Sequence, residues 1–308
     1  MPFIYNPWWG KPVIAQAGFA LFAGGDNSGG VTNASQKYTY STNALSSGTN
    51  LGTARLFLAA AGTTSIGIFA GGRTAGGVYE TVSDTYTYSG DTVAPGTSLT
   101  TGTAELAACG NSTNAVFGGG NTSSSSSTIT AVTYVYTYSS SIVGAGGNLT
   151  NASYTLAAAS NATTGIFAGG EIASGPTALS SVYNLTSNTS SNGSSLGTAL
   201  GNLAACGNGT VAVFGGGANS TSVPQLTTSV VTYSSDARVS GTNLGTARYN
   251  LAAASNPTFG LFSGGTDGTT TQSVTDVYTF SGNVVTSGTS LTTATDDFAA
   301  TSSNPGGF

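Results

Sequence analysis

The chain has 308 residues, of which 6% are charged, 46 are Gly and none is His. Without an imidazole, Ser/His/Asp triads, Cys/His pairs and His-ligated zinc, copper or iron are excluded, while a hydrophobic content of 39% is too high for a disordered linker. Six Lys and Arg against eleven Asp and Glu give a net charge of -5, and with no basic cluster to neutralise successive phosphates, nucleic acid is not an expected partner.

Residues 1–17 stand apart from the rest. They hold both Trp of the chain, Trp8 and Trp9, with Phe3, Ile4, Tyr5 and prolines at 2, 7 and 12. Proline at this spacing resists helix and sheet and favours an extended arm, and clustered aromatics suit an interface anchor. The segment lacks a basic stretch followed by a continuous apolar run, so it does not read as a secretory signal. No apolar run in the chain approaches the ~20 residues of a spanning helix, and no membrane partner is expected.

From residue 18 onward a motif recurs. Phe-x-Gly-Gly occurs at Phe22, Phe69, Phe117, Phe167, Phe214 and Phe262, at spacings of 47, 48, 50, 47 and 48. The glycine pairs are Gly24/Gly25, Gly71/Gly72, Gly119/Gly120, Gly169/Gly170, Gly216/Gly217 and Gly264/Gly265. From the second copy on, each Phe lies 11 residues after a Leu-Ala-Ala triplet, and each triplet lies 7 after another Leu (Leu51, Leu99, Leu149, Leu196 and Leu244). That stretch is fixed in length, so the variation is confined to segments 26–36, 73–83, 121–133, 171–181, 218–229 and 266–275, which read as loops. Aromatic pairs two apart follow, such as Tyr38/Tyr40 and Tyr86/Tyr88, which a strand places on one face.

Each repeat therefore reads as four short strands, and four-stranded units of this length repeated six times predict an all-β, six-bladed β-propeller of antiparallel blades. The ends fit a ring. Leu291 is followed 7 residues later by Phe298, a first strand with no second strand after it, while residues 18–25 form a second strand with no first strand before it. Their pairing predicts closure of one blade from both ends and a domain over 18–308.

The repeat resembles that of the kelch-type β-propellers, in which an apolar strand ends in a glycine pair and a turn bearing an arginine leads to the innermost strand. Leu51-Gly-Thr-Ala-Arg55 and Leu244-Gly-Thr-Ala-Arg248 carry that likeness. The other repeats replace the arginine, by Glu105, Ser153, Leu200 and Thr295 on the sequence alignment. The resemblance implies that binding, where it occurs, uses the face bearing the variable loops and the turns from fourth to first strands.

No residue set points to catalysis. The glycine pairs neither open a helix nor precede a Lys-Ser/Thr, so they read as architecture rather than phosphate cradles. Cys109 and Cys206, two blades apart, are expected as free, buried thiols. The adjacent Asp296 and Asp297 read as a solvated turn whose side chains diverge. The expectation is a non-enzymatic protein without cofactor or metal: a structural or decoration component of a phage virion, capsid- or tail-associated, docked on other structural proteins through Phe3, Ile4, Tyr5, Trp8 and Trp9, made in the host cytoplasm and carried on the particle surface. The alternative is a lectin-like adhesion module whose loops bind surface glycans.

Overall fold

The computed structural model describes residues 18–124 and 128–306. The proposed arm, with Phe3, Ile4, Tyr5, Trp8 and Trp9, lies outside the described residues.

The second strand of every repeat is built to be buried on both faces, and this decides the architecture. In Phe19–Ala23 and its five counterparts the last four residues are all buried. Side chains alternate across a strand, so an unbroken apolar run needs cover on both sides. The cover comes from neighbouring sheets. Six four-stranded antiparallel sheets, the blades, stand in a ring, and each of the six hydrophobic clusters lies between two of them. Between blades 1 and 2, for example, Leu21 and Ala23 pack with Leu58, Phe69 and Tyr86. On the other face of the same strand, Ala20 and Phe22 pack with Leu261 and Phe298. The core is thus six radial layers rather than one central mass.

Five blades come from continuous stretches, residues 59–95, 107–145, 157–192, 204–240 and 252–287. Blade 1 is assembled from both ends of the described chain, in the order Ala299–Ser302, Phe19–Ala23, Ser35–Thr39 and Ala44–Ser47. Ala20 pairs with Ser302 and Ala23 with Ala299, and the seam is extended by Phe19 N–H donating to Ser303 Oγ at 2.9 Å and Ser303 N–H donating to Phe19 O at 3.0 Å. The ring is closed, as the repeat count predicts, and no α-helix occurs among the described residues.

The glycine pairs set how closely blades approach. Both glycines of every pair have positive φ, between 64° and 98°, a region costly for a side chain. The second glycine of each pair donates its N–H to a carbonyl in the turn that leads into the next innermost strand: Gly25 to Arg55, Gly72 to Thr103, Gly120 to Ser153, Gly170 to Leu200, Gly217 to Arg248 and Gly265 to Thr295, all at 2.8 or 2.9 Å. A Cβ on Gly71 would lie 2.5 Å from the Thr103 carbonyl oxygen. Both the backbone angle and the space therefore exclude alanine. We expect Gly71→Ala to destabilise the protein by about 2–4 kcal/mol, whereas Gly77→Ala, in an exposed loop position with positive φ and nothing nearby, costs only the backbone strain of about 1 kcal/mol. Chemical denaturation of the two variants distinguishes the contributions.

Candidate functional site

The innermost strands all run in the same direction, so the central channel has two unlike ends. At one end lie the turns between first and second strands. There a cavity of about 100 Å3 is lined by the ends of the innermost strands and covered by Pro305 and Gly306 of the chain itself. The other end carries the loops between second and third strands and the connections from fourth to first, and no described segment crosses it.

That open mouth is built by one residue per blade. Phe57, Glu105, Thr155, Asn202, Asn250 and Asp297 each stand two residues before the start of an innermost strand, and each has φ between 52° and 61°. The left-handed conformation costs a residue with a side chain roughly 1–2 kcal/mol. Here it turns every N–H toward the equivalent carbonyl of the preceding blade. Phe57 donates to Asp297, Glu105 to Phe57, Thr155 to Glu105, Asn202 to Thr155, Asn250 to Asn202 and Asp297 to Asn250, at 2.7 to 3.0 Å. The six bonds form a closed circle, each contributing about 0.5–1.5 kcal/mol against the strain. Below it the leucines of the Leu-Ala-Ala triplets and Phe298 make an apolar collar, and the two layers enclose about 90 Å3.

The charge of this charge-poor protein gathers on the same end. Of eleven carboxylates, Asp84 and Asp276 are spent in buried ion pairs, and Asp91 and Asp236 sit in turns between third and fourth strands. The other seven, Asp26, Glu80, Glu105, Glu171, Asp267, Asp296 and Asp297, are all in loops or connections of the open end. Asp297 faces Asp296, Asp26 and Glu105, with Arg73 as the nearby cation. Burial first, then these neighbours, push its carboxyl well above the ordinary range. Burial likewise raises Glu105, which accepts from Asn121 Nδ2 at 2.9 Å, and Asp296. Tyr154 donates to Glu171 Oε2 at 2.8 Å, and burial together with that carboxylate pushes the phenol up to about 12. Arg73 stacks on the Phe57 ring at 5.3 Å from its centroid.

Several sequence readings are placed, and two are corrected. The six motif phenylalanines are at most 2% exposed and form the interblade layers. Cys109 and Cys206 are free and buried, and burial pushes the Cys109 thiol up to about 12. Asp297 is not in a solvated turn: its Oδ1 is closed to solvent and accepts no hydrogen bond. Arg55 lies four residues after its connection Leu51 and Glu105 six after Leu99, so Glu105 does not stand where Arg55 does but where Phe57 does. Thr103 stands in the Arg55 position, with its carbonyl on Gly72 N–H as Arg55's is on Gly25 N–H. The mouth residues escaped the sequence reading because Phe, Glu, Thr, Asn and Asp share no chemistry; what they share is a position, six residues after the Leu of each connection.

The orphan acceptor Asp297 Oδ1 and the raised carboxylates suit a ligand that donates hydrogen bonds or carries positive charge, and oppose phosphate at this mouth. Among the described residues no group of three or more Cys, Asp or Glu is disposed to hold a metal ion. The chain matches no protein-family model and no curated protein.

The titration has a definite sign. A carboxyl raised in the folded state stabilises the protein below its ordinary value of 3.8 and loses that stabilisation as pH rises through the raised value. Asp91, lowered although burial opposes it, by its hydrogen bonds from Lys37 and Thr49, acts oppositely and in the window below 3.8. Asn already occupies the Asp297 position in two blades, at Asn202 and Asn250, with the same backbone angle. Asp297→Asn should therefore raise stability at neutral pH and flatten the loss of stability that the parent shows as pH rises above 3.8. Thermal unfolding from pH 4 to neutral, variant against parent, is the measurement.

Proposed function

We propose that this protein is a non-enzymatic, kelch-like propeller of a large assembly, a phage virion in the reading we favour, held on other structural proteins by its arm and presenting its loop-bearing end outward. The observation that carries this reading is where the arm departs. Gly18 directly precedes the second strand of blade 1 at the end of the channel opposite the loops, beside the C-terminal segment: a Cβ on Gly18 would lie 2.6 Å from Asn304 Cβ.

Two features support an assembly role. The six outermost strands, with sequences ALSS, TVAP, IVGA, TSSN, ARVS and VVTS, are exposed sheet edges carrying one charged residue between them, Arg238. Free proteins commonly guard such edges with charge, whereas a protein held at fixed spacing on a particle has less need to. Ile142, Val239 and Val284 on those edges are 61%, 60% and 47% exposed. Arg55 and Arg248 support the kelch-like part of the reading, since each anchors the connection into its innermost strand.

Deleting residues 1–17, or replacing Trp8→Ala with Trp9→Ala, tests the anchor. Each buried indole contributes about 4–6 kcal/mol at ~25 cal/mol per Å2, less the ordering of the arm. Incorporation into the parent particle should fall by orders of magnitude while the melting temperature moves by no more than about 2 °C. A large drop in melting temperature with incorporation preserved would show the arm to be a latch on its own propeller.

A further inference from the structure

In blades 2 and 6 an arginine fills a socket beside the connection into the innermost strand. Arg55 donates from Nη1 to the carbonyls of Gly71 at 2.5 Å and Val82 at 2.7 Å, and from Nη2 to Asp84 Oδ2 at 2.5 Å. Arg248 makes the same three contacts, with Gly264, Val274 and Asp276. Both arginines are completely buried. In blade 5 the arginine is replaced by Leu200 and the aspartate by Ser229, and the carbonyl-bearing positions are Gly216 and Thr227. All four line a cavity of about 200 Å3.

The vacated socket has a cation at its wall. Arg238, on the outermost strand of blade 5, also lines the cavity, and it makes no ion pair or side-chain hydrogen bond with any described residue. Its guanidinium lies over Gly197, where a Cβ would come within 2.4 Å of Nη1. The blade 5 loop, residues 218–229, contains no carboxylate, so nothing in it neutralises Arg238. Blade 1 has a similar space of about 150 Å3, lined by Thr295 and Gln36, but no cation stands there.

We propose that the blade 5 socket binds a sugar acid, with its carboxylate on Arg238 and its hydroxyls donating to the carbonyls that the fold presents to a guanidinium in blades 2 and 6. The two halves of the site ask for opposite things, an anion at Arg238 and donors at Gly216 and Thr227, and a polyhydroxylated carboxylate supplies both. The space equals about six or seven water volumes, room for one sugar ring rather than a chain. The ligand is therefore either a free sugar acid or the terminal residue of an acidic glycan. The site deepens the reading of the loop-bearing end as the presented one, but binding is measured on the protein by itself, so its failure is distinct from a failure of docking.

Isothermal titration of the full chain with D-glucuronate, D-glucose and tetragalacturonate is the test. Binding of glucuronate shows that the free acid suffices, and binding of the tetramer alone assigns the site to a glycan end. Glucose should bind at least tenfold more weakly than the acid. Arg238→Gln, at a partly exposed side chain, should weaken acid binding at least about tenfold with the melting temperature unchanged. Leu200→Arg with Ser229→Asp, which rebuilds the blade 2 pair inside the socket, should abolish it. The proposal is overturned by the absence of binding of either acid at millimolar concentration, by equal affinity for glucose, or by full affinity in the Arg238→Gln protein.

Discussion

Six interblade hydrogen bonds from the second glycine of each pair fix the distance at which two blades stand, and the other features depend on that distance. With the blades this close, the motif phenylalanines and the third-strand tyrosines interdigitate into layers without exposed apolar area. The same approach brings each connection close enough to its neighbour for the circle of bonds at the mouth to close. A larger residue at the glycine positions would widen the wedge between blades, and a ring of six wedges has no slack in which to absorb the change. Each of the six bonds is modest in itself; their strength lies in being repeated around a closed figure.

The six repeats also compare one packing problem solved several ways. Arginine appears in the socket only where an aspartate faces it, in blades 2 and 6. Where the pair is missing, both members are missing. Blade 3 sets Thr103 opposite Tyr134, their hydroxyls 3.4 Å apart, and blade 4 has Ser153 with Ser181, which takes Thr150 as its partner at 2.7 Å. An unpaired buried arginine or aspartate would cost about 3–5 kcal/mol, so the two residues exchange together. Blades 5 and 1 give up the charge without refilling the volume, and there the space remains.

How far the sequence could be read follows from which features are written in side chains. The Phe-x-Gly-Gly motif, the fixed distance from Leu51 to Phe69 and the split blade at Phe298 are residue-type signals, because buried volume and positive φ admit few residues. The mouth residues are a backbone signal. What they share is the left-handed backbone and its N–H, not one kind of side chain, so Phe57, Glu105, Thr155, Asn202, Asn250 and Asp297 differ, and only their common offset marks them. The counterpart of Arg55 in blade 3 is the small, buried Thr103, and the charged Glu105 two residues on belongs to the mouth.

The distribution of charge is a further consequence of the close-packed ring. Radial layers between blades have no room for unpaired charge, and the outer edges carry almost none, so the remaining carboxylates collect in the loops and connections of one end. There burial first, and then neighbouring carboxylates, raise Asp297, Asp296 and Glu105, and the seven together give the mouth an anionic field that falls off over about 8–10 Å at physiological salt. Arg238 stands on an outer strand in one of the two blades whose loop has no acid. One propeller thereby keeps an acidic mouth and a cationic side socket apart, which a ligand with both hydroxyl donors and a carboxylate would distinguish. The sixfold repeat supplies equivalent places; the departures from it supply their different chemistries.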